Sequence, residues 1–191
     1  RCYTPPTAFH SGQARTAIAE QQIHTLYSAA AISRRLDEMA REISSDLSEL
    51  EPVFIGVLRG SAVFLSDLVR RLEFPLSLDF LPVSSYSGKT STGSVRLTKD
   101  LDDELEARHA VLVEDIVDSG STLQFLVDHL RRRNPASLRV CTLLSRDRSD
   151  APPAPLDYVG FKLEPGYVVG YGMDYRQRYR NLPFIGLLEG C

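Results

Sequence analysis

The residues best suited to chemistry follow one another in the stretch Val111-Leu112-Val113-Glu114-Asp115-Ile116-Val117-Asp118-Ser119-Gly120-Ser121-Thr122-Leu123. An apolar run ends, three carboxylates follow, and small hydroxyl residues around Gly120 lead into a new apolar pattern. Ser119, Gly120, Ser121 and Thr122 therefore sit where a loop enters a helix. Free backbone N–H groups, hydroxyls and the positive helix end can all face one phosphate there, and Gly120 permits close approach. Carboxylates beside such a cradle would repel the phosphate unless they meet hydroxyl donors or a cation. The chemistry indicated is that of a sugar phosphate carrying a diol and Mg²⁺, and a ribose phosphate meets both demands. A lone Asp-Ser-Gly would be read as a solvated turn with a helix cap. The whole run of thirteen residues is what selects the phosphate reading.

Holding those groups in place requires a strand before them and a helix after them. Residues 110–113 read as the strand, 114–121 as the turn, and Leu123, Leu126, Val127 and Leu130 as one face of the helix, with a further strand at 138–144. The same order occurs earlier. Ile32, Leu36, Met39, Ile43 and Leu47 recur at helical spacing with charged residues between them. The continuous apolar run Val53–Leu58 suits a strand buried on both faces, and Arg59-Gly60-Ser61 breaks it. Phe64, Leu65, Leu68, Val69 and Leu72 return to helical spacing until Pro75, after which Leu76, Leu78 and Phe80 alternate as in a strand. Residues 84–93 are small and polar without periodicity, as expected of a mobile loop that carries function, and we read them as a candidate lid. Alternating strands and helices of this length imply an α/β fold, a mostly parallel sheet with right-handed crossovers and helices on both faces. Ligands collect at the carboxyl ends of such strands. Beyond Pro152, Pro153 and Pro155, short apolar runs at 158–161, 167–170 and 184–188 read as a small hood over the sheet. The expected organisation is one domain over 1–191, with a tail over about 1–25 and the hood over about 152–191.

A chain of 191 residues can bury one good core. Its formal charge of −3 gives no general attraction to nucleic acid or anionic lipid. Three scattered cysteines, with Cys141 inside an apolar run, argue against a disulfide framework and for a reducing compartment. No stretch approaches the length of a membrane span, and residues 1–15 lack the apolar block of a signal peptide, so the expected location is the cytoplasm. No G-x-x-x-x-G-K-[ST] loop is present, and His10, His24, His109 and His129 lack metal-ligand spacing.

The run from Glu114 to Thr122 resembles the signature of the type I phosphoribosyltransferases, which bind phosphoribosyl pyrophosphate (PRPP): an apolar strand, two acids, two apolar residues and a D-S/T-G-x-T-like loop. The similarity extends from about Ile32 to Glu189 and narrows to the hypoxanthine-guanine branch. It implies the type I phosphoribosyltransferase fold and Mg²⁺-dependent transfer of a 5-phosphoribosyl group from PRPP to N9 of an oxopurine base, in purine salvage, by a homodimer or homotetramer. Under this resemblance Glu114 and Asp115 hold the ribose hydroxyls and, with Asp174, Mg²⁺. Asp118 contacts N7 of the base and manages its proton, while residues 119–122 hold the 5-phosphate. Leu58-Arg59-Gly60-Ser61 resembles the pyrophosphate loop, whose non-proline cis peptide turns N–H groups toward the leaving group, and Arg180 aligns with an arginine that contacts pyrophosphate. Ser85-Tyr86 resembles the mobile-loop dyad that shields the reacting ribose from water. In the run 167–175, Tyr167 would stack on the purine and Val168 would bond its edge through the backbone. Tyr171, Tyr175 and Tyr179 are expected in core or interface.

One residue departs from the pattern. The branch normally carries a lysine after its Leu-Leu-x strand end, donating to the exocyclic oxygen of the base, and this chain has Arg146. Arginine can donate to the same oxygen but is longer, forked and always charged, which leaves the ranking of hypoxanthine, guanine and xanthine open. Asp147 is an alternative partner that would draw the guanidinium off the base. Two other readings stand beside the first: a xanthine-preferring transferase, and a non-catalytic PRPP sensor binding nucleic acid through Arg131-Arg132-Arg133. The acidic net charge and the intact Asp118 count against the second. The arginine triplet ends a helix, where basic residues meet the negative end of the dipole.

Overall fold

In a computed structural model of the chain, the described residues are 22–85, 95–101, 104–118, 120–146 and 156–189. Tyr86 and the rest of the expected lid after residue 85, Ser119 and Asp147 lie outside them, while residues 84 and 85 are strand rather than loop. The first amphipathic pattern forms α1 (Ala29–Leu47), and all five of its periodic apolar residues are buried. Ser28 caps it, its side chain accepting the Ala31 N–H at 3.2 Å. The buried run forms β2 (Val53–Leu58), followed by α2 (Ser61–Val69). Next come β3 (Ser77–Ser85), β4 (Val95–Leu97), β5 (His109–Val117), α3 (Ser121–Arg131), β6 (Ser137–Ser145) and β7 (Tyr158–Lys162).

The main sheet runs in the order β4-β3-β2-β5-β6-β7. Five of these strands are parallel, and β4 lies antiparallel on β3. Successive side chains of β2 point to opposite faces. Phe54 packs with α1 and α2, while Val53 and Ile55 pack with Leu123, Leu126 and Leu130 of α3. The two apolar layers so formed hold the strands and fix where their carboxyl ends emerge.

Four further details differ from the reading of the sequence. Glu114 to Val117 continue β5 rather than forming a turn, because β6 offers its backbone as far as Val117↔Ser145. Residues 158–161 do not belong to the hood, since β7 joins the main sheet beside β6. The hood is a three-stranded antiparallel sheet of β1 (Ile23–Tyr27), β9 (Ile185–Leu188) and β8 (Tyr167–Val169), so its first strand comes from the segment expected to be tail. In β3 the buried positions are Asp79 and Leu81, and Leu78 is exposed.

Candidate active site

Strand β5 delivers the carboxylates alternately. Glu114 is 6% exposed, opposite Thr142 of β6, and burial, reinforced by the Asp115 charge, pushes its carboxyl well above the ordinary range. Asp115 faces the other way, into a cavity of about 370 Å³ at the carboxyl ends of β2 and β5. Burial pushes its carboxyl up to about 6, with the Asp174 charge adding to the shift. The Asp115 and Ile116 N–H groups and the Arg180 guanidinium pull the other way. A Cβ on Gly60 would lie 1.9 Å from Asp115 Oδ2, so Asp115 can occupy this place only because residue 60 has no side chain.

Gly60 ends the loop after β2, and the Leu58–Arg59 peptide is cis, as the resemblance implied. A turn of the hood lies over this loop: a Cβ on Gly172 would be 2.2 Å from the Gly60 carbonyl oxygen. Arg180 Nη1 donates to the Gly172 carbonyl at 2.7 Å, and its other terminal nitrogen is ion-paired with Asp174. The second Asp174 oxygen accepts the Gln177 N–H at 2.8 Å, and Arg59 donates to the Gln177 side-chain carbonyl at 3.2 Å. Gln177 thus bridges two expected site residues, although nothing in the motif singled it out. An Asp followed by polar turn residues, its carboxylate returning to a nearby N–H, was the available signal.

A second set of contacts lines the same cavity. Arg146 Nη1 donates to Asp118 at 2.9 Å and Nη2 to the Gly166 carbonyl at 2.6 Å, so the guanidinium ties the β5 exit to the start of the β8 segment. Its Nε is buried and has no hydrogen-bond partner among the described residues. The Asp118 side chain remains 45% exposed. Tyr167 is also 45% exposed, with its hydroxyl donating to the Asp174 carbonyl at 3.0 Å and its ring edge-on to Tyr175, centroids 5.4 Å apart. An aromatic face held in this way is available as a stacking platform. Val168 is buried beside it, and Ile116 and Met173 complete the apolar wall.

Gly120 takes a left-handed conformation, φ 74°, immediately before α3. The first turn of α3 contains no acid, so the positive end of the helix is not offset by its own side chains. Ser121 and Thr122 open this helix and do not line the cavity. The structure therefore brings Arg59, Gly60, Asp115, Asp118, Arg146, Tyr167, Val168, Asp174 and Arg180 around one cavity. Leu58 and Glu114 do not line it, and the backbone of Ser85 ends β3. Among the described residues no three His, Cys, Asp or Glu side chains converge as a complete metal cage. Glu114, Asp115 and Asp174 therefore do not form such a set by themselves.

A mostly parallel α/β sheet with a glycine-led helix N-terminus, carboxylates at the strand end and an arginine-bearing hood is an arrangement suited to a phosphorylated ligand. The chain belongs to the phosphoribosyl transferase family, whose domain model matches residues 22–176. It is 44% identical over 165 residues to the hypoxanthine-guanine-xanthine phosphoribosyltransferase of Tritrichomonas foetus, covering 86% of this chain and 90% of that protein. It is 41% identical to the hypoxanthine-guanine phosphoribosyltransferase of Bacillus subtilis, covering 86% and 92%. A crystal structure of a hypoxanthine-guanine phosphoribosyltransferase from Bacillus anthracis superposes with a TM-score of 0.80 at 41% identity, covering 87% of this chain and 99% of that one.

Proposed function

We propose that this protein transfers the 5-phosphoribosyl group of PRPP to N9 of hypoxanthine or guanine, releasing pyrophosphate and forming IMP or GMP in cytoplasmic purine salvage. The observation that carries the reading is the single cavity lined by two contact networks. One joins Arg59, through Gln177, to Asp174 and Arg180, with Gly60 and Asp115 beside it, and the other joins Asp118 and the Gly166 carbonyl through Arg146, with the Tyr167 ring lining the same cavity. The first suits pyrophosphate and the second a base. The N-terminus of α3 would take the 5-phosphate, with Ser119, Gly120, Ser121 and Thr122 around it. Asp115 would hold the ribose hydroxyls, and Glu114 would reach them only by turning from the opposite face of β5.

The donor set fits Mg²⁺. Carboxylates too few for a full cage suit an ion that keeps water and substrate phosphates among its ligands, and two acids near each other, one with a raised pKa, suit an added cation. Asp115 and Asp174 would hold it, while Glu114, on the opposite face of β5, stays outside the cavity, and the ion would supply charge neutralisation on the leaving pyrophosphate.

In the reaction the N9 lone pair attacks C1 of the ribose as the C1–O bond to pyrophosphate breaks, through an oxocarbenium-like transition state. Asp118 contacts N7 and manages its proton. Tyr167 stacks on the ring, and the Val168 backbone bonds its edge. Arg59 and Arg180 stabilise charge developing on pyrophosphate, and Ser85 and Tyr86 belong to the lid that excludes water. Arg146 donates to the exocyclic oxygen. Its unpartnered Nε supports a guanidinium that re-pairs when a base arrives. The protein assembles as a homodimer or homotetramer and acts on small molecules, with no nucleic-acid or membrane partner.

The test is nucleotide formation from PRPP with hypoxanthine, guanine, xanthine and adenine, with and without Mg²⁺. Products with hypoxanthine and guanine are expected, none with adenine, and none without the metal. Xanthine, which the name of the Tritrichomonas relative includes, is ranked by the same panel. No product from any oxopurine would sink the proposal.

A further inference from the structure

Tyr171 occupies a position that a tyrosine enters at a cost. Its φ is 49°, between Gly170 at 95° and Gly172 at 101°, in a turn closed by the Gly170–Met173 bridge. Its ring joins the core, but its hydroxyl reaches out of the hood and donates to Asp67 of α2 at 2.6 Å. Burial, strengthened by the Asp67 bond and charge, holds the phenol above its usual range, so it remains a donor.

The two elements joined by this bond carry the two sides of the pyrophosphate end of the site. Helix α2 begins at Ser61, directly after Gly60. The turn places Gly172 against the Gly60 carbonyl and gives Arg180 its backbone acceptor, while the Tyr171 N–H donates to Leu182 beyond Arg180 at 2.9 Å. A cleft of about 400 Å³ is lined by Asp67, Tyr171 and Arg180 together, and Arg180 also lines the site cavity.

We infer that the Tyr171–Asp67 hydrogen bond is a clasp that sets Arg180 and the Gly60 loop at the spacing pyrophosphate requires, which makes both residues positioning residues for PRPP. The inference rests on the function proposed above. An arginine fork aligned before the ligand arrives keeps more of its binding energy, so losing the clasp weakens PRPP rather than the base.

The test is steady-state kinetics on the full chain. Tyr171→Phe keeps the ring and removes only the donor. It is expected to raise KM for PRPP about five- to tenfold, the effect of losing one buried hydrogen bond, with kcat and the KM for the base within about twofold. Asp67→Asn keeps an acceptor and should remain near the parent, Asp67→Ala should match Tyr171→Phe, and the double variant should be no worse than either single one. A merely structural role would lower the melting temperature without this split between substrates. The clasp is overturned by a Tyr171→Phe protein with unchanged KM for PRPP, or by equal losses for both substrates. A parent protein that makes no nucleotide from PRPP would instead refute the proposed function.

Discussion

Asp115 shows how a functional carboxylate and the stability of the fold pull apart. Its folded pKa of about 6 lies above the usual 3.8, so the folded chain binds the proton more tightly across that interval. The stability this contributes is complete below pH 3.8 and is lost as pH rises through about 6. In metal-free buffer, Asp115→Asn should therefore raise the melting temperature at pH 8 by several degrees, about 1–3 kcal/mol, and by much less at pH 4.5. An equal gain at both values would contradict the raised pKa. In the proposed reaction Asp118 acts in the chemical step. Asp118→Asn should lower kcat by about a hundredfold or more and move KM for PRPP by less than about threefold. Comparable losses in both would remove Asp118 from its role at the base.

At the scale of elements, the site depends on how closely β2 and β5 release their chains toward each other. Gly60→Ala would put a methyl group where Asp115 Oδ2 lies, so PRPP turnover should fall by about a hundredfold, while guanidinium melts show only a modest loss of stability. Leu36→Ala empties a fully buried position of α1 and should cost about 2–5 kcal/mol in the same melts. The helices and the central strand were legible because Ile32 to Leu47 and Val53–Leu58 write their burial into the local pattern. The end of β5 was not: Glu114 and Asp115 read as turn residues, and only hydrogen bonds from β6 extend the strand through them. Strand β1 was hidden for a similar reason, since Ile23–Tyr27 is mostly exposed and its partner lies at the far end of the chain. The glycine before α3, the cis loop and the exposed Tyr167 could be picked out from their motifs. The pairing of Arg146 with Asp118, 28 residues apart, follows from where β5 and β6 end together, which no local pattern encodes.

For the molecule as a whole, a formal charge of −3 leaves the proposed phosphate site on a surface with no general pull on polyanions. Binding to RNA or duplex DNA should be absent at physiological salt, and a filter-binding isotherm with a steep salt slope would revive the nucleic-acid reading. The small sheet has a different consequence. Its middle strand β9 is flanked by β1 and by β8, which carries Tyr167 and Val168, so the proposed purine seat draws on both extremes of the described chain. During synthesis the five parallel strands are complete once Lys162 has left the ribosome, whereas the strand that seats the purine face waits for Leu188. Under the proposed function, a nascent chain arrested between those two residues would already own its 5-phosphate cradle and still be blind to purines.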